Sequence, residues 1–79
     1  MNQERRTKIE KLVEQLQDIE GSIRELQEEE QEAFDNLPEG IQGSERGQAM
    51  EEAAGNLEQA ADACAEASGQ LEAAAGAGQ

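Results

Sequence analysis

Cys64 is the side chain of this sequence best suited to nucleophilic chemistry, because it is the only cysteine and the chain holds no histidine or tyrosine. A thiol becomes reactive when a nearby base or cation lowers its pKa. Cys64 instead lies in an alanine-rich stretch without basic residues. Carboxylates are abundant, but acid–base catalysis needs two of them with separated pKa values in a cleft, which a simple pair of helices does not offer. We therefore expect Cys64 to be a core residue and the chain not to be an enzyme.

The segment from Asp35 to Arg46 shares one feature with calcium-binding loops, because Gly40 stands where such a loop needs its glycine. Leu37, however, falls at a ligand position, and Arg46 replaces the terminal glutamate. The three successive glutamates at 28–30 are interpreted as a solvated helix face. We expect no bound metal and no cofactor.

The net charge of -13 is distributed unevenly along the chain. Residues 1–24 hold five basic and five acidic groups, whereas residues 25–79 hold fourteen acidic groups and one basic residue, Arg46. Such a field repels nucleic acid and anionic membranes and attracts basic protein surfaces. On a rod of about 45 Å the excess charge averages one per roughly 3.5 Å, and a dimer approaches the spacing of about 1.7 Å in duplex DNA. The surface is interpreted either as a mimic of a nucleic-acid backbone or as a solubility feature beside an unrelated binding role.

The densest run of carboxylates closes the first half of the chain, where no basic residue intervenes. We expect these groups to bind a basic protein surface together with carboxylates from the second half. This acidic cluster comprises Glu25, Glu28, Glu29, Glu32, Asp35, Glu51, Glu52 and Glu58. Because the negative charge of the cluster repels phosphates, we expect no direct binding to nucleic acids or membranes.

The carboxylates of the first half are expected to lie on one long helix. Apolar residues alternate at spacings of three and four, which is the heptad pattern of a helix with one buried stripe. The stripe contains Ile9, Leu12, Leu16, Ile19, Ile23, Leu26, Glu30, Ala33 and Leu37. Thr7 begins a capping box, so the pattern predicts a helix over about 8–36. Pro38 and Gly40 then predict a turn over 37–44.

The second half is a seven-residue repeat that predicts a helix over about 45–75, with Ser44 as its N-cap. Met50, Leu57, Cys64 and Leu71 hold the first position of the repeat, and alanines hold the fourth. The glycine-containing tail, 76–79, is expected to fray.

Two helices of similar length joined by a short turn predict an all-α antiparallel hairpin that resembles a coiled coil, with large side chains on the first helix facing an alanine-rich second helix. At the interface we expect burial of Leu16, Ile19, Ile23, Leu57 and Cys64. Val13 and Phe34 widen the first stripe on one side. We expect a second copy to cover this outer flank, giving a homodimer or higher oligomer, most simply a four-helix bundle.

One cysteine permits no internal disulfide, and the polar stretch from Met1 to Lys11 is unlike a signal peptide. No run of residues approaches the roughly 20 apolar positions of a membrane span. The sequence therefore predicts a cytoplasmic protein.

The turn at 36–47, together with the segment 50–53 and the repeat that begins at Leu57, resembles small uncharacterised acidic helical-hairpin proteins of bacteriophages and prophages. The resemblance covers most of the chain and implies no catalytic or binding residues. It implies an accessory role in the host cytoplasm, including inhibition of a bacterial defence complex that handles nucleic acid. Two alternatives are a structural or scaffolding coiled-coil protein of a virion and an oligomer that sequesters a small molecule.

Overall fold

The computed structural model describes residues 1–77 and consists there of three α-helices without a strand. Helix α1 spans Gln3–Asp35, the short α2 spans Glu39–Gln42, and α3 spans Glu45–Gly76. At 1.5 Å per residue, α1 and α3 are each about 50 Å long, yet the Cα atoms extend over only 58 Å. Helix α3 therefore folds back along α1 as an antiparallel partner. The predicted all-α class with a long helix pair is confirmed.

Helix α1 begins at Gln3 rather than near residue 8, where the capping box suggested a start. The side-chain oxygen of Asn2 accepts a hydrogen bond from the backbone N–H of Arg5 at 2.8 Å. Asparagine is among the strongest N-caps, and it satisfies a donor of the first turn. The Thr7 hydroxyl donates to the backbone carbonyl of Gln3 at 3.0 Å, so Thr7 lies inside the helix.

The turn between the long helices contains one helical element that the sequence pattern did not indicate. After α1 ends at Asp35, the carbonyl of Pro38 accepts hydrogen bonds within α2. The amide Nε2 of Gln42 then reaches back and donates to the carbonyls of Phe34 and Leu37, each at 3.3 Å. These carbonyls lie at and just beyond the end of α1, where backbone acceptors lack partners within the helix. Gln42 thus closes the C-terminal end of α1.

The start of α3 fits tightly against this turn. Ser44 is the N-cap, and its hydroxyl accepts a hydrogen bond from the N–H of Gly47 at 3.4 Å while donating to the carbonyl of Ile41. Gly47 is buried, and a Cβ there would lie 2.1 Å from the carbonyl oxygen of Gln42. Only glycine fits at this position. At the other end, Gly76 belongs to α3, and residues 78–79 of the predicted tail lie outside the described range.

The contact between the long helices, called the seam below, is centred on a ladder of small residues in α3. Gly47, Ala54, Ala61 and Ser68 recur every seven positions and are buried. Across the seam, Val13 is the buried residue of α1. Small side chains let two helix backbones approach closely, so packing compensates for the shortage of large core residues.

The seam lies on a different strip of α1 from the predicted one. Ile9, Leu16 and Ile23 are half-buried, so the predicted burial of Leu16 and Ile23 is only partial, and the alternate residues of the predicted stripe are exposed. Their exposed fractions are 47% for Leu12, 50% for Ile19 and 53% for Leu26. The predicted burial of Ile19 is therefore wrong. A single neighbouring helix covers only a narrow strip of α1. The small-residue ladder of α3 packs against the flank of the stripe that contains Val13, so the flank that contains Leu12 stays exposed.

The flank that packs against α3 carries the two residues that were expected to face a second copy. Val13 is only 8% exposed and Phe34 is half-buried, so both belong to the seam of the single hairpin. On α3 the seam runs between the ladder and the first positions of the repeat. Leu57 and Cys64 are consequently half-buried rather than enclosed.

Candidate binding surfaces

One side of the hairpin is apolar and open. In α1 the exposed aliphatic residues each follow a half-buried seam residue by three positions, and in α3 the repeat alanines do the same. Because the helices run in opposite directions and face each other, these two flanks lie on the same side of the pair. This apolar face comprises Leu12, Ile19, Leu26, Ala33, Ala53, Ala60, Ala67 and Ala74. The sequence pattern had instead placed these residues at the interface between the two helices.

The opposite side of the hairpin is polar and carries the ion pair that joins the helices. A guanidinium nitrogen of Arg24 lies 3.2 Å from a carboxylate oxygen of Asp62, and Arg24 Nε lies 2.9 Å from Glu20 within α1. The hydrogen bond that Arg24 donates to Glu20 is the largest cause that raises the pKa of Arg24, and its hydrogen bond to Asp62 is the second. The ion pair places Arg24 of α1 and Asp62 of α3 at about the same height along the hairpin. Because antiparallel helices rise by the same amount per residue in opposite directions, other positions at equal height can be counted from these two. Partial exposure of both side chains limits its contribution to stability.

Every residue of the acidic cluster is exposed, and none forms an ion pair within residues 1–77. The only side-chain hydrogen bond in the cluster within that range joins Gln31 Nε2 to the carboxylate of Asp35 at 3.1 Å. In the described part of the hairpin no basic side chain therefore pairs with these carboxylates, and they are accessible to a basic partner.

The structure brings part of the acidic cluster together and separates the rest. Glu28 and Asp35 lie on the Arg24 side of α1, and the helical register places them near the levels of Glu58 and Glu51 on the same side. The remaining carboxylates have other directions. Glu25 and Glu32 lie on the side of α1 opposite the seam, Glu29 lies toward the apolar face, and Glu52 lies on the outer side of α3. The cluster thus surrounds the turn half of the hairpin instead of forming one plane, and its role in binding stays a prediction.

The charge density follows from the observed length. A net charge of -13 over 58 Å corresponds to one charge per about 4.5 Å, so a fully overlapping dimer would carry one per about 2.2 Å. The dimer value is close to the spacing of about 1.7 Å in duplex DNA.

Cys64 lies at the seam and is half-buried. Residues 1–77 form no pocket, and that range contains no group of three or more residues arranged to hold a metal ion. Within the same range, none of the helices combines the length and the apolar character needed to cross a membrane. Comparison with protein-family models, curated proteins and solved structures gives no match to this chain.

Proposed function

We propose that this chain is a non-enzymatic accessory protein of phage type that self-associates and binds a basic surface of a bacterial protein through its acidic cluster. The observation that carries the proposal is the exposure of all eight cluster carboxylates without an ion pair in residues 1–77. Unpaired charge on the helix pair attracts a complementary basic surface over a distance of about one Debye length.

The consequence of such binding follows from what basic surfaces on bacterial proteins commonly do. Proteins that handle nucleic acid use lysine and arginine to neutralise phosphates. A dimer of this hairpin offers a negative charge density near that of DNA. It would therefore occupy the nucleic-acid site of a defence complex and inhibit it, the role that the resemblance to phage proteins implies.

Self-association supplies the second part of the proposal. Leu12, Ile19 and Leu26 remain about half exposed in the single hairpin. Burying apolar surface is worth about 25 cal/mol per Å², and aligned exposed aliphatic residues are characteristic of an interaction site. A second copy would cover them and double the charge over the same length.

The binding test compares two variants with equal changes in net charge. The test variant replaces Glu25, Glu28 and Glu32 with Gln, and the control replaces Glu10 and Glu14 with Gln and Asp18 with Asn. All six residues are exposed, and Glu29 is left unchanged because it lies beside the apolar face. Each tagged protein is used to capture partners from bacterial lysate, with added duplex DNA as competitor.

We expect the parent and the control variant to retain a basic nucleic-acid-binding complex, and the test variant to lose it. Raising the salt concentration from about 0.1 M to 1 M shortens the Debye length from about 10 Å to 3 Å and should release the complex. Equal capture by both variants, together with no effect of DNA, contradicts the proposed mechanism.

A structural or scaffolding role in a virion is the second candidate, and the apolar face favours it because assembly needs only such a surface. Capture of capsid or tail proteins, unchanged by the charge substitutions, would support this role over inhibition of a defence complex.

A further inference from the structure

The apolar face has an internal symmetry along α1. Leu12, Ile19 and Leu26 follow one another at intervals of seven residues, and Ile19 is the middle residue of the helix Gln3–Asp35. Arg5 and Ala33 continue the same row at its two ends. A second copy of α1 laid antiparallel across Ile19 would therefore match the row residue for residue, with the helices overlapping over their full length.

The charges of α1 are opposite at the two ends of this row. Residues 1–11 hold four basic and two acidic side chains, whereas residues 25–35 hold six acidic side chains and no basic one. An antiparallel arrangement places the basic end of each α1 beside the acidic end of the other. The contact is thus complementary in charge as well as apolar at its centre.

We propose that a second copy covers the apolar face with its hairpin reversed end for end, so that the two α1 helices pack antiparallel about Ile19. This inference rests on the self-association proposed above and adds its surface, register and direction. Leu12 of each copy then faces Leu26 of the other, and Lys8 approaches Glu29 of the other.

The alternative two-fold arrangement keeps both turns at the same end. It would place α1 of each copy over α3 of the other, so the aliphatic row would pack on alanines. It would also bring the two acidic turn halves side by side, where like charges repel. The distribution of charge therefore favours the reversed arrangement.

The ionic contact requires Lys8 to exchange partners. In the single hairpin its Nζ lies 3.6 Å from a carboxylate oxygen of Glu4, and both side chains are highly exposed. Such surface pairs contribute little, so Lys8 can turn toward Glu29 of the second copy. Arg5 is also exposed and lies in the row of Leu12, Ile19 and Leu26.

Disulfide trapping tests the direction of packing in the full chain. Cys64→Ala removes the native thiol, and Ile19→Cys, Leu12→Cys or Leu26→Cys then adds one thiol to the apolar face. A disulfide needs Cα atoms within about 7 Å, so trapping reports facing positions only. The mass of each reduced variant is measured in parallel by analytical ultracentrifugation.

In the reversed arrangement, Ile19→Cys forms a disulfide-linked dimer by itself. Leu12→Cys and Leu26→Cys each remain unlinked alone and form a linked dimer when mixed. If the reduced proteins are dimeric but Ile19→Cys does not link, the direction proposed here is wrong while self-association stands. If the reduced proteins and the parent are all monomeric, both proposals fail.

A charge exchange provides an independent test with an unmodified apolar row. Lys8→Glu or Glu29→Lys alone should raise the dimer dissociation constant roughly threefold to tenfold, because each dimer contains two such contacts. The combination of both substitutions should restore the parent value. Failure of the combination to recover any affinity would overturn the proposed contact between Lys8 and Glu29.

Discussion

Gly47→Ala is the substitution whose effect the structure specifies most sharply. The added methyl group would lie 2.1 Å from the carbonyl oxygen of Gln42 and 2.7 Å from that of Ile41. Real Cβ atoms essentially never lie closer than 3.0 Å to another heavy atom. Both neighbours are backbone atoms of the turn, which the hydrogen bonds of Ser44 and Gln42 hold in place. Relief of the contact therefore requires the turn or the start of α3 to move.

Two opposing contributions set the expected magnitude. Alanine is favoured over glycine inside a helix by about 1 kcal/mol, whereas overpacking of a filled site costs about 1–3 kcal/mol, and sometimes more. A contact this short with backbone lies at the upper end, so we expect a net loss of about 1–2 kcal/mol. For a chain of this size, each kcal/mol corresponds to about 4–8 °C in melting temperature.

The matched control is Gly69→Ala in the same helix, where an added Cβ meets nothing within 4 Å. We expect this variant to be stabilised by about 0.5–1 kcal/mol. Urea unfolding followed by circular dichroism, at equal protein concentrations, gives both values on one scale. Equal stabilisation by the two substitutions would refute the close packing of α3 against the turn.

Three further substitutions test other parts of the hairpin. Ser68→Ala should leave stability unchanged or raise it by up to about 1 kcal/mol in urea unfolding, because the buried hydroxyl of Ser68 has no hydrogen-bond partner within residues 1–77. Gln42→Glu should lower stability by about 1–3 kcal/mol in the same assay, since it replaces a donor to two backbone carbonyls with a negative charge. Leu57→Asp places a charge at the half-buried edge of the seam and should lower the free energy of unfolding by about 1–3 kcal/mol, whereas Leu26→Asp, on the exposed face, should keep the hairpin's stability and weaken self-association; equal effects of these two would contradict the seam.

The sequence predicted the helices well because their determinants are local. The alternation of apolar residues in α1, the turn at Pro38 and the N-cap at Ser44 act over a few residues each. The earlier start of α1 also has a local cause in Asn2, which is a strong cap outside the apolar pattern. The contact of Gln42 with the end of α1 was harder to predict, because it depends on how the chain reverses its direction.

The seam was harder to predict because the stripe of α1 is wider than one neighbour can cover. Leu12 and Val13 are both apolar, and only the structure shows that Val13 is buried while Leu12 is exposed. The signal that could have decided between them lies in α3. Small residues recur there at intervals of seven from Gly47 through Ala61 to Ser68, and close approach of two helices favours such a ladder as the centre of contact.

The candidate site, the acidic cluster, could also be predicted only in part from the sequence. Exposure of its carboxylates follows from their charge alone, but their directions around the hairpin depend on the seam. Once the register is known, Glu28 and Glu58 fall on one side and Glu29 on the other. A partner surface is specified by such directions and not by composition.

The mass of the full chain in solution tests most directly whether the apolar face is a contact surface. Sedimentation equilibrium at micromolar concentration should give twice the chain mass of 8.5 kDa, and Ile19→Asp should return the protein to a single helical chain. A parent protein that sediments at 8.5 kDa, with the Ile19 substitution changing nothing, would contradict self-association through this face.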